Sequence, residues 1–225
     1  MKDFLGRFFG RRPATDAAAA PSSVPAPEAA MDARTQLREK LRQDVAAGFD
    51  DEDVILTNIA DYFEDEIDPA LVRREAPAIL REVLAEHARA AASWPAVTDC
   101  DRLDAAFAAL EADGIIARQN FTCCMTCGSA EIWDEVEEAS NDGLQARGYT
   151  FYHFQDTDAA LEGHGIFLAY GACEDGEAAA LDIAGEVVAA LEAHGLSPAW
   201  GGSWSERIAL PLDWKRRRGV AAPFG

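Results

Sequence analysis

Hydrophobic positions along the chain follow two periods. In the first part they recur every three or four residues. Leu37, Leu41 and Val45 stand at i, i+4 and i+8, and the stripe stops at Gly48, which predicts a helix ending there. Asp50 or Asp51 can cap a second helix carrying Ile55, Ile59, Tyr62 and Phe63. Pro69, after Asp68, suits the first position of a helical turn. Pro77 is expected to start or kink the next helix, in which Leu80, Val83, Leu84 and His87 share a stripe. Residues 31–95 therefore read as a helical region.

From residue 96 helical and strand patterns mix. Asp99 or Asp101 can cap a helix with Leu103, Phe107 and Leu110, ended by Gly114. Segments 115–121, 149–154 and 165–170 read as strands, with an acidic helix around Ile132, Trp133 and Val136 after the first. Residues 177–193 read as a helix closed at Gly195. Segments 196–200 and 207–212 close the chain as a hairpin around Gly201-Gly-Ser203. The expected fold is α+β: an N-terminal helical region, then a mixed, largely antiparallel sheet of about five strands with helices packed on it, over residues 96–218. Residues 13–30 are rich in Ala, Pro and Ser and read, with the start of the chain, as a disordered tail. Residues 219–225 read as a flexible tail.

Charge sharpens this picture. The 225 residues carry a formal charge of −20. Residues 31–213 hold 37 acids against 12 bases, whereas residues 214–225 hold four bases and no acid. Duplex nucleic acid is not an expected partner of so acidic a body. No apolar run approaches the ~20 residues of a membrane span. Phe4, Phe8 and Phe9, interleaved with Lys2, Arg7 and Arg11, could touch a membrane surface or a partner. Lys215-Arg-Arg-Arg218 either meets an external anion or folds back on the acidic body. No secretory signal is visible, and the five cysteines are an odd, clustered set, so a reducing cytoplasm is the expected compartment.

The blocks Trp94-Pro-x-x-Thr-Asp-Cys-Asp-Arg-Leu103, Phe121-Thr-Cys-Cys-x-x-Cys-Gly128, Gly148-Tyr-x-Phe-Tyr-His-x-Gln-Asp-Thr157, Leu168-Ala-Tyr-Gly171 and Arg207-Ile-x-Leu-x-Leu-x-Trp-x-Arg-Arg-Arg218 resemble a bacterial family of uncharacterised proteins, a domain of unknown function. The resemblance spans roughly residues 35–218. It implies no activity, substrate or cofactor, and it transfers no catalytic residue.

Candidate chemistry centres on the cysteines. Cys124-x-x-Cys127 spaces two thiols for one tetrahedral zinc ion, with Cys123, Cys100, His153 or Cys173 as further ligands. The same pair, between a strand and a helix, could instead be a redox dithiol, or a cysteine nucleophile with His153 as base. Glu131, Asp134 and Glu135 are expected to oppose this by raising the thiol pKa. A third reading makes the cysteines buried packing in a tight turn. Placed on a strand, His153 would share a face with Phe151 and Gln155, as a ligand, a base or a core residue. Asp156-Thr157-Asp158 reads as a helix cap. Walker, dinucleotide, nucleophile-elbow and His-Glu-x-x-His motifs are absent. Two function classes follow: a non-enzymatic protein-interaction module with a structural zinc, and a thiol-dependent redox protein or enzyme.

Overall fold

The computed structural model describes residues 27–219. The Phe4, Phe8 and Phe9 segment, most of the Ala/Pro/Ser stretch and residues 220–225 lie outside the described residues.

Among the described residues three helices come first: α1 (Pro27–Ala47), α2 (Glu52–Tyr62) and α3 (Pro69–Ala91). Helix α1 starts inside the stretch expected to be a linker. Its stripe Leu37, Leu41 and Val45 is buried against Ile55, Ile59, Ile79, Leu80 and Val83 in one hydrophobic cluster. Asp51 caps α2 by accepting from the Val54 N–H, and Asp68 caps α3 with Pro69 in its first turn. Pro77 does not break α3, contrary to expectation. Its flanks Ala76, Ile79 and Leu80 are buried in the cluster, and that burial outweighs the one missing N–H. Arg34, Arg38 and Arg42 of α1 run along Glu75, Glu82 and Glu86 of α3 as ion pairs.

The second part is α4 (Asp99–Ala112), β1 (Ile115–Arg118), α5 (Met125–Asn141), β2 (Gly148–Phe151), α6 (Phe154–Leu161), β3 (Ile166–Ala172), α7 (Glu177–Ala193) and β4 (Ile208–Leu210). The sheet has four strands in the order β1-β2-β3-β4, not five. The expected 196–200 strand contributes only a bridge between Ala199 and Ala209. Strands β2, β3 and β4 pair antiparallel, but β1 pairs parallel to β2, because α5 carries the chain back across the sheet. Neither Asp99 nor Asp101 caps α4. Thr98 does, with Asp101 as the reciprocal partner of a capping box.

Side-chain alternation gives the sheet two different faces. Ile115, Ala117, Ile166, Leu168, Ile208 and Leu210 pack under α4 and α7. Ile116, Phe151 and Ala169 point the other way, where α5 supplies Ile132. Gly128 lets α5 lie close: a Cβ there would stand 2.4 Å from the Phe151 ring. Helix α5 covers the β1–β2 half of this face. On the β3 side Phe167 is left exposed.

Segment 213–218 ties the two parts together. Trp214 donates its indole N–H to the Ala46 carbonyl (3.0 Å), and Arg218 reaches the carbonyls of Val45 and Asp50. These are the free carbonyls at and beyond the end of α1, where donors and cations are favourable. Arg217 pairs with Asp101 at 3.0 Å. Arg216 is the most enclosed: it pairs with Asp104 at 2.8 and 3.1 Å, donates to Gln119 at 2.7 Å, and lies over the Phe49 ring at 4.5 Å. Gly48 (φ +81) makes room for it, since a Cβ there would meet the Arg216 side chain at 2.8 Å. The basic segment thus folds back on the acidic body.

Arg216 and Asp104 are largely but not wholly enclosed, so removing one leaves the other partly uncompensated. Arg216→Ala is therefore expected to cost about 2–3 kcal/mol. Arg218→Ala, which loses bonds to backbone carbonyls only, is expected to cost about 1 kcal/mol. Urea unfolding of both variants checks this; equal costs would show that Arg216 is not the tie.

Candidate thiol metal site

The parallel β1–α5–β2 unit makes the site. The chain leaves β1 at Arg118, turns, and enters α5 with Cys124 at the N-cap. The turn is held from below. Phe121 N–H donates to the Tyr152 carbonyl (2.8 Å), Phe154 N–H to the Thr122 carbonyl (3.1 Å), and the Thr157 hydroxyl to Asn120 (2.6 Å). Asn120 (φ +51) and Thr122 (φ +56) both sit in the left-handed region. Asn tolerates it; for β-branched Thr it is strain, and such strain concentrates at functional sites.

This turn gathers three thiols. Cys123, Cys124 and Cys127 place their Sγ atoms within 4.8 Å of one another, and Cys123 and Cys127 stand 3.4 Å apart. Cys123 is exposed and the other two half-buried. Sulfurs that share one zinc ion at ~2.3 Å lie about 3.8 Å apart, so the spacing suits a single ion. The thiols are unequal. Cys124 is held below the usual thiol range, first by the Cys127 backbone N–H, then by the Cys123 thiol and the Thr126 backbone N–H. The two backbone N–H groups belong to the first turn of α5, where a helix favours negative charge. Cys127 is pushed up to about 11, because its hydrogen bonds with Cys123 and Cys124 favour its protonated form. The expected influence of Glu131, Asp134 and Glu135 is not what sets Cys124. Glu135 is paired instead with Arg118, at 2.7 Å.

A protein-family model, a domain of unknown function, matches residues 30–218. The chain belongs to this family, DUF6891. No curated protein and no solved structure matches it.

Three other residues expected as ligands in this DUF6891 chain, Cys100, His153 and Cys173, lie outside the thiol cluster, Cys173 exposed just past the end of β3. Cys100 is buried in α4, and burial pushes its thiol up to about 12. His153 is not on a strand. It caps α6, in a capping box with Asp156. Its Nδ1 lies 3.3 Å from the Asp156 N–H and 3.2 Å from the Asp156 carboxylate, and its Nε2 lies 3.5 Å from Arg207. Burial holds its pKa below the usual value, with Asp156 opposing, so the ring is neutral at pH 7. The cap of α6 is thus His153, with Asp156 in the role of its partner rather than of the cap itself.

The sequence reading of this DUF6891 chain missed a groove at the open edge of α5. It has a volume of about 160 Å³ and is lined by Met125, Tyr149, Phe151, Trp204, Glu206 and Arg207, among others. Its one sequence signal is the aromatic and charged run Trp204-Ser-Glu-Arg207, between the expected turn at Gly201-Gly-Ser203 and the strand from Arg207.

Thiolates, not thiols, react with alkylating agents. As pH rises, Cys124 passes its lowered pKa first. In metal-free protein, iodoacetamide is expected to label Cys124 with a midpoint below that of an ordinary thiol, Cys127 only near pH 11, and Cys100 only on unfolding. Peptide mass mapping across pH checks the order; simultaneous labelling of Cys124 and Cys127 contradicts it.

Proposed function

We propose that this protein is a metal-thiolate recognition module of the cytoplasm. Cys123, Cys124 and Cys127 hold one zinc ion, and the uncovered sheet face beside α5 receives a partner protein. The observation that carries the metal half is the convergence of three thiols on one point. Three protein ligands leave the fourth tetrahedral position to water or to a partner's group. The acidic body adds a field that draws cations. The thiols stand apart from the clusters that hold the two parts of the fold together. Zinc therefore stiffens the turn and the first turn of α5, and the core does not wait for it. The recognition half is supported by Phe167 and Trp204, which stay exposed at 41% and 54% beside the groove.

The inequality of Cys124 and Cys127 favours a second reading, a thiol–disulfide exchange protein. The Cys124 thiolate would attack a partner disulfide and expel one partner thiolate. Cys127 would then displace Cys124-bound sulfur, leaving a protein disulfide and a reduced partner dithiol. His153 has no place in this, because its ring is committed to Asp156 and Arg207.

Metal content and free thiols, measured on the same anaerobic sample, separate the readings. One zinc per chain with three shielded thiols is expected. Cys124→Ser or Cys127→Ser should abolish it, and Cys100→Ser should leave it intact. Added zinc should raise the melting temperature by mass action, and chelation should return it to the metal-free value without unfolding the protein. Metal-free protein whose Cys124 exchanges rapidly with a disulfide reagent would establish the second reading instead.

A further inference from the structure

The groove beside α5 contains an arginine that is half used. Arg207 directs a single nitrogen, Nη1, into the protein. That nitrogen meets Asp156 at 3.0 and 3.2 Å and the Phe167 carbonyl at 3.0 Å, with His153 at 3.5 Å. Asp156 is itself buried, so this end of the guanidinium is fixed. The Phe167 ring lies against one face of the guanidinium, 5.1 Å from the centroid. Among the described residues Nε and Nη2 have no hydrogen-bond partner. The side chain is 33% exposed and lines the groove. The Nε and Nη2 hydrogens are parallel, and they form the edge of arginine that takes a carboxylate in two bonds at once.

The remaining walls say what the carboxylate is attached to. Tyr149 and Trp204 offer ring surface over buried Phe151, and Trp204 is 54% exposed. Glu206 stands on the wall too, with its carboxylate turned toward Gly201. A volume of about 160 Å³ suits one residue-sized group. We propose that the groove binds an α-carboxylate carrying an apolar or aromatic side chain: the carboxylate on the Nε/Nη2 edge of Arg207 and the side chain among the rings. The carboxylate has two sources. A peptide C-terminus would leave Glu206 to solvent, whereas a free amino acid would set its ammonium toward Glu206. This inference rests on the recognition half of the proposed function and is independent of the zinc.

Titration calorimetry on the metal-free full chain tests it with three probes: N-acetylphenylalanine, free phenylalanine and N-acetylphenylalanine amide. An acid should bind and the amide should not. Tighter binding of the N-acetyl acid marks a chain terminus; tighter binding of free phenylalanine marks the amino acid. Arg207→Lys keeps a cation beside Asp156 and removes the two-donor edge. It should weaken the acid tenfold or more while the melting temperature stays near that of the parent. Trp204→Ala, at an exposed position, should weaken it severalfold without touching the Asp156 contact. The proposal is overturned if the amide binds as well as the acids, if Arg207→Lys binds like the parent, or if neither acid binds at about 10 mM. Loss of zinc binding with retained acid binding would remove the metal reading alone.

Discussion

The guanidinium of Arg216 is the contact on which the two parts of this protein depend. It reaches Asp104 of α4 and Gln119 after β1, and it lies against the rings of Phe49 and Trp214. Gln119 in turn accepts from the hydroxyl of Tyr152, which is wholly buried. One cation therefore joins the loop after α1, the first helix of the second part and the centre of the sheet. Among the described residues its Nε has no partner, and taking a charge out of water is costly. Replacing the whole set with apolar groups could be just as stable. What the ion pair adds is direction: a planar fork fits its acceptors in few ways, and so it fixes how the helical part sits on the sheet. Trp214, Arg217 and Arg218 extend the same tie to the end of α1 and to the cap of α4.

That tie also explains the charge pattern. A body with 37 acids against 12 bases repels itself. The arginines of α1 answer the glutamates of α3, and the basic segment near the C-terminus answers the acids of α4 and the carbonyls after α1. Surface pairs of this kind contribute little each, so the segment matters more as a strap than as a sum of salt bridges.

Much of this was legible in the sequence. The α1 stripe, an aspartate cap of α2 at Asp50 or Asp51, Pro69 in the first turn and the bounds of α7 all follow from period and punctuation. The errors have physical causes. Phe154 is aromatic and sits in a strand-like pattern, yet it opens α6 and stays exposed. His153-x-x-Asp156 has the spacing of a capping box, and that local pairing decided its geometry over strand alternation. The parallel sense of β1 and β2 was written in the strand–helix–strand order, but two short segments gave no register. The thiol trio was readable because Cys123 and Cys127 are four apart at a helix start. The separation of Cys100 and His153 from it was not, because tertiary distance leaves no mark on spacing. Nor was the groove, whose walls come from four separate stretches of chain.

The thiols and the groove are consequences of one shortage of cover. Among the described residues a single helix, α5, packs on this face of the sheet, and Gly128 sets its first turn almost in contact with Phe151. The N-terminus of that helix must emerge at the end of a parallel strand, where free N–H groups lower the pKa of Cys124. Its flank must also leave β3 uncovered, and there Phe167 and Arg207 meet solvent. Met125 belongs to both places, as the residue after Cys124 and as a wall of the groove. A ligand seated on Arg207 and an ion held by the cysteines would therefore share one helix turn.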